Sequence, residues 1–324
     1  MIEGHDLELF ERSIRQATER HTGAALDAAL IELGWQDALA VDRRAAVSVL
    51  FALQGSANVT SSALATVVAA GLGLESPAEH GVILPGLGSW APPAELAGDQ
   101  LTVGGLGAAD LDRRETVLVV AKDPGASGTT LAVTVERSAL AVGPVGGLDP
   151  ALAIAEVSGN GIPFRPIAGE ATRGWPEAVA LAQMAVAHEL IGAARTMLEL
   201  ARDHANNRIQ FGQPIGKFQA VRHRLAEALV AIEAADGVLD AAWDIPSPEL
   251  AAAAKALAGR GARTTARHCQ QVLAGIGFTA EHPFHRYFRR ILVLDQLFGS
   301  ARSLTDDLGT RLLASRQLPA LLTL

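Results

Sequence analysis

The chain has 324 residues, 49% of them apolar and only 4% aromatic. That is enough for two or three structural units, and the composition favours close helix packing over an aromatic-rich barrel. A formal net charge of -8 argues against a nucleic-acid module, and the single cysteine, Cys269, rules out an intrachain disulfide framework and suits a reducing, cytoplasmic compartment.

The first 20 residues are charged and lack the apolar stretch of a signal peptide. No apolar run reaches the roughly 20 residues that span a bilayer; Ala178 to Ala187 is apolar, but His188 and Glu189 interrupt it. From Asp6 to Ala70, helical spacing recurs at Leu26, Leu30 and Leu33 and again at Val47, Leu50 and Phe51, with a turn at Gly34-Trp35. Between Gly71 and Pro166 glycine and proline thicken. Leu101–Val103, Val117–Val120, Leu131–Val135 and Leu140–Val142 read there as short strands. No helical pattern lies between them, so a small antiparallel sheet is expected rather than βαβ units.

Helical character returns at Trp175, with Pro176 suited to a first turn. Helices are expected over Trp175–Asn207, Lys217–Trp243, Glu249–Leu273 and Asp295–Ser315. The expected organisation is mainly α with a small central β domain: a helical unit over 1–85, a β-rich unit over 86–172 and a helical bundle over 173–324.

Two turns in the bundle concentrate chemistry. In Arg208-Ile209-Gln210-Phe211-Gly212-Gln213-Pro214-Ile215-Gly216-Lys217-Phe218-Gln219, Pro214 cannot continue the preceding helix, and Arg208 offers a planar fork suited to phosphate oxygens. The plainer reading is that Arg208 caps helix carbonyls or pairs with a surface carboxylate. Further on, Gln271 stands at a helix end, and Ala274-Gly275-Ile276-Gly277 leaves the backbone bare enough for a ligand to approach. Arg286, Arg289 and Arg290 form a basic cluster that could meet a phosphate, and Glu281 could pair locally with Arg286 or Arg290.

Competing motifs fail. Gly105-Leu106-Gly107 is followed by Asp110 where a dinucleotide fingerprint needs a small residue. His188-Glu189 opens like a zinc-protease helix, but Gly192 replaces the second histidine. His282 and His285 have no cysteine partner, so no metal site is expected. Ser61 and Ser62 read as helix-associated residues.

The Arg208–Gln219 and Gln271–His282 segments together resemble the paired C-terminal signatures of the acyl-CoA dehydrogenase family, most closely between Gly192 and Arg290. The resemblance implies a helical–β–helical fold, FAD as cofactor and α,β-dehydrogenation of an acyl-CoA. It also implies that Arg208, Phe211, Gln271 and Gly275 contact the FAD of a neighbouring subunit: Arg208 at the pyrophosphate, Phe211 beside the cofactor, Gln271 and Gly275 at its adenosine–pyrophosphate end. Family members carry glycine where this chain has Ala274, a departure of one methyl group. Gln219 and His223 match family positions without a chemical role.

The family's catalytic glutamate is missing. Leu297-Phe298-Gly299-Ser300 puts Phe298 at one family position for it, and the other falls near Ala182 and Gln183. Glu189, two turns further on, is a weak substitute, its plainer role being a polar helix contact. The family's middle-domain flavin loop has no counterpart in 86–105. This pattern resembles one subunit of the heteromeric acyl-CoA dehydrogenases of actinobacterial steroid side-chain degradation. A heterotetramer of two chains of each kind is then implied, with a paralogous partner supplying the glutamate and with the N-terminal helical unit of this chain shortened. Two alternatives stand beside it: a self-sufficient homotetramer, and a flavin-free structural partner on the same fold.

Overall fold

The structure, a computed structural model, describes residues 4–74, 81–108, 111–125, 129–167 and 174–316. Five helices lead: α1 (Gly4–Arg20), α2 (Ala24–Glu32), α3 (Trp35–Val41), α4 (Arg43–Ala57) and α5 (Ala63–Gly71). Gly34 adopts φ 69° between α2 and α3, as the expected turn requires. Asp42 caps α4 by accepting from the Ala45 amide, and Trp35 anchors the unit by donating its indole N–H to the carbonyl of Ala46.

The middle unit holds β1 (Gly81–Val82), β2 (Ala94–Ala97), β3 (Gln100–Gly107), β4 (Thr116–Lys122), β5 (Thr130–Glu136), β6 (Ala141–Pro144), β7 (Ala155–Ile162) and β8 (Arg165–Pro166). The sheet order is β6-β7-β3-β2-β4-β5-β8, with β1 also on β4. It is mostly antiparallel as expected, but β4 takes parallel partners in β1 and β2. Glycines 105 and 107 lie inside β3, not in a phosphate loop; Asp110, which breaks that motif, falls outside the described residues, as does the expected boundary at 172–173. β4 is buried on both faces. Leu118 and Val120 join the large core shared with the helices, while Val117 and Val119 face a second cluster with Val133, Val135 and Val157.

The bundle comprises α6 (Trp175–Asn207), a two-strand hairpin of β9 (Ile209–Gln210) and β10 (Gln213–Pro214), α7 (Gln219–Asp244), α8 (Pro248–Leu273), α9 (Phe284–Leu294) and α10 (Ala301–Ser315). Its axis is α6, about 50 Å long at 1.5 Å per residue, which packs on α4, α5, α7, α8 and α9. Glycine makes the tightest of these crossings possible. A Cβ on Gly192 would lie 2.2 Å from the Ala52 carbonyl oxygen, and one on Gly55 would lie 2.1 Å from that of Glu189. The residue that breaks the zinc-protease pattern is therefore a helix-crossing glycine. His188 is buried there and accepts the Trp243 indole N–H at 2.9 Å. Burial, then the charge of Arg44, pushes its pKa down to about 3, so the ring is neutral.

Two sequence expectations need correction. Helix α9 has no counterpart among the expected helices, and the last helix starts at Ala301 rather than Asp295. Asp295 closes α9, after which Phe298 and Gly299 both turn to positive φ, and Ser300 with Ser303 forms a capping box that sets the new start.

Candidate functional site

The two exposed turns are built differently. At the first, Arg208 leaves the helix with φ −78° and ψ 112°. Phe211 at φ 51° and Gly212 at φ 77° then form the two-residue bend between β9 and β10. Positive φ at both central positions matches the twist of a tight hairpin. The bend throws the Phe211 ring outward, 91% exposed, with an edge contact to Phe218 at 6.1 Å. The exposed guanidinium of Arg208 has no hydrogen bond or ion pair among the described residues, so the carboxylate-pairing alternative is not realised here.

At the second turn, α8 gives way at Ala274 to a short 3-10 segment, Ala274–Phe278. Gln271 is exposed on the last turn of α8, and a Cβ on Gly275 would meet nothing within 4 Å. Ala274 has φ 52° and ψ −131°, a region that glycine alone enters easily. Its methyl group is therefore a larger departure from the family glycine than one added carbon suggests. Both turns lie at the same end of the bundle. His204, on the last turn of α6, has its pKa lowered by partial burial and then by the charges of His282 and Arg208. His282 and His285 serve the local backbone: Nδ1 of His282 accepts from the Phe284 amide, and Nδ1 of His285 lies 2.8 Å from the His282 carbonyl oxygen.

The positions expected for the catalytic base meet at a third, buried turn. The Gln183 side-chain amide donates to the Phe298 carbonyl at 3.0 Å, and both residues are buried. No carboxylate of either position exists to accept a proton. The turn is fixed from every side. Lys255 Nζ donates to the carbonyls of Asp295 and Gly299 at 3.1 and 3.2 Å. The Asp295 carboxylate accepts two bonds from Arg263, at 2.9 and 2.7 Å, and a third from the Ala301 amide. Burial pulls the Lys255 ammonium down to about 8 despite the nearby Asp295.

The 86–90 segment, within the stretch expected to correspond to the family's flavin loop, lies against this turn. The Gly88 amide donates to the Gln296 carbonyl, and a Cβ on Gly299 would lie 2.8 Å from the Trp90 ring. A cavity of about 400 Å³ remains beside it, lined by Trp90, Trp175, Val179, Gln183 and Leu304.

Glu189 is far from both exposed turns in chemical character. It is 2% exposed, and its Oε2 accepts from the Gln54 amide at 3.0 Å. Burial raises its pKa to about 7, against the opposing pull of Arg290 and the Gln54 hydrogen bond. Arg290, read from the sequence as a surface phosphate ligand or a partner of Glu281, is fully buried and bound to Asp149. Neither it nor Lys255 is legible in the sequence as an interior charge, because burial of a cation depends on partners distant along the chain. The Cys269 thiol is buried and pushed up to about 12, so it is an inert core group.

A helical unit, a mostly antiparallel sheet and a helical bundle make up the fold that the chain shares with solved acyl-CoA dehydrogenases. Residues 174–313 match the family model described as acyl-CoA dehydrogenase, C-terminal domain, and the chain resembles that family. The acyl-CoA dehydrogenase IpdE2 of Mycobacterium tuberculosis is 42% identical over 121 residues, which is 37% of this chain and 38% of the relative. FadE34 of the same organism is 44% identical over 117 residues, 34% of this chain and 16% of that protein. The sequence match thus spans well under half the length of these relatives. Whole-chain likeness to solved structures is one of fold. A steroid ACAD variant, Tcur3481-Tcur3483, has TM-score 0.78 at 21% identity, covering 97% of this chain and 99% of that one. The ChsE4-ChsE5 complex of Mycobacterium tuberculosis has TM-score 0.76 at 21% identity, covering 98% of each. Among the described residues, no helix is long and apolar enough to cross a membrane.

Proposed function

We propose that this chain is one subunit of an FAD-dependent acyl-CoA dehydrogenase, in a cytoplasmic heterotetramer with a paralogous subunit that supplies the catalytic glutamate. The observation that carries the reading is the opposition of its turns. Arg208, Phe211, Gln271 and Gly275 are all exposed at one end of the bundle, while the base position is Phe298, buried and backbone-locked.

The exposed set fits one side of FAD. The unpaired Arg208 fork suits a pyrophosphate, the open backbone at Gly275 admits close approach, the Gln271 amide can donate or accept, and the Phe211 ring offers an apolar face. The chemistry supplied by bound FAD is hydride acceptance as an acyl-CoA is dehydrogenated at its α,β carbons. That reaction also needs a carboxylate for the α proton, which neither Phe298 nor Gln183 can provide. A steroid-derived acyl group is supported by the likeness of fold to the steroid ACAD.

Flavin absorbance tests the reading. The chain purified alone is expected to be colourless, and to carry flavin after co-expression with a paralogue that has glutamate at the Phe298 position. In that complex Arg208→Ala should lower flavin content. A yellow chain that is reduced by acyl-CoA without a partner overturns the proposal.

A further inference from the structure

The polar cluster around Glu189 joins all three units of the fold. Glu189 comes from α6, Gln54 from α4, Arg290 from α9 and Asp149 from the segment between β6 and β7. The guanidinium is committed elsewhere: its Nε bonds Asp149, one terminal nitrogen donates to the Val59 carbonyl at 2.8 Å and the other to the Thr60 hydroxyl at 3.3 Å. Glu189 Oε1 stays 3.6 Å from that guanidinium, beyond hydrogen-bond reach, and has no protein hydrogen-bond partner. Two carboxylates, with side chains 3% and 9% exposed, therefore share one guanidinium. If both were ionised, an uncompensated negative charge would sit in the interior, an arrangement proteins avoid by taking up a proton.

Next to Glu189 lies a cavity of about 40 Å³, with Thr60, Ser61 and Ser62 in its lining and Leu84, Leu152 and Leu297 as part of its apolar wall. That volume accommodates water. The Thr60 and Ser61 hydroxyls already donate, Thr60 to the Ala151 carbonyl and Ser61 to the Gln54 side-chain oxygen, and each accepts once, from Arg290 and from the Ala63 amide, so each keeps one lone pair to accept from a water.

We propose that this cavity is a water site for Glu189 held as a neutral carboxylic acid, so that a proton completes the clasp between the helical unit, the sheet and the bundle. The acid hydroxyl donates to the water, and Gln54 bonds the other oxygen. The remaining titratable groups nearby leave this arrangement intact. Tyr287, one turn before Arg290 on α9, donates to the Ser56 carbonyl, and His188, the chain neighbour of Glu189, is neutral and turned to Trp243 on α7.

The direction of the pH effect follows from burial, which raises the carboxyl from an ordinary value of 4.5 to about 7 in the folded chain. Between those limits the folded state binds more protons than the unfolded one. Stability therefore falls as pH rises through the window, by up to about tenfold in the folding equilibrium per pH unit for one proton.

The experiment is a pH series of denaturation midpoints on the full chain, from pH 4.5 to 8, for the natural sequence and Glu189→Gln, with infrared detection of a protonated carboxyl near neutral pH. The natural chain should lose stability toward pH 7 and show the carboxylic-acid carbonyl band. Glu189→Gln should lose both the pH-dependent component and the band while keeping its midpoint at pH 8. Asp149→Asn, which frees Arg290 for Glu189, should also abolish the band. If Glu189→Gln fails to fold, the band in the natural chain decides by itself. Absence of that band at pH 6, or a Glu189→Gln slope equal to that of the natural chain, overturns the proposal.

Discussion

The two ends of the bundle treat positive-φ residues in opposite ways. At the exposed end, Phe211 and Ala274 hold left-handed conformations at φ 51° and 52° with little packed against them. At the buried turn, Phe298 holds φ 55° under Lys255, Gln183, Arg263 and Trp90. Strain of this kind costs on the order of 1–3 kcal/mol and persists only where something over-determines it. Packing does that at Phe298. At the exposed turns only hairpin and helix-end geometry does, which leaves those side chains free to meet another molecule. One end is thus finished within the chain, and the other leaves its side chains exposed.

This contrast can be broken most strongly at Asp295. Asp295→Ala removes the bonds from Arg263 and the Ala301 amide, and should destabilise the chain by about 3 kcal/mol in urea denaturation. A loss below about 0.5 kcal/mol, the level of an ordinary surface change, would mean the buried turn is not locked. A smaller, opposite effect is expected at Ala274. Replacing it with glycine relieves a Cβ at φ 52° and should stabilise by about 1 kcal/mol; a drop in melting temperature would contradict the assigned conformation. The smallest effect belongs to Phe211→Ala. With 91% of the residue exposed, stability should move by less than about 0.5 kcal/mol while flavin content of the co-expressed complex falls. Equal losses of stability and flavin would instead make Phe211 a packing residue.

Much of the fold is legible in the amino-acid sequence. The long α6 follows from Pro176 and an Ala- and Leu-rich stretch that no further proline interrupts, and the Arg208 turn follows from Phe211-Gly212 and Pro214, because those signals act within a few residues. The start of α10 is not legible in the same way: its stop signal is a pair of positive-φ residues, of which Phe298 carries no such preference in its side chain. Strand β7 escapes a local reading because Ser158-Gly159-Asn160-Gly161 has the composition of a turn; its pairing with β3 and β6 overrides that preference.

By itself the sequence determined the order of helical, sheet and helical units, the two turns and that residues 183 and 298 are glutamine and phenylalanine rather than carboxylates. Those depend on local backbone preference and on residue identity. Only the tertiary structure decided that residues 183 and 298 meet, that Gly55 and Gly192 mark a helix crossing, and that Lys255, Arg290 and Glu189 are interior charges. Burial of a charge is set by partners brought from distant parts of the chain, as Arg290 is by Asp149 and Thr60, and no local pattern encodes that encounter.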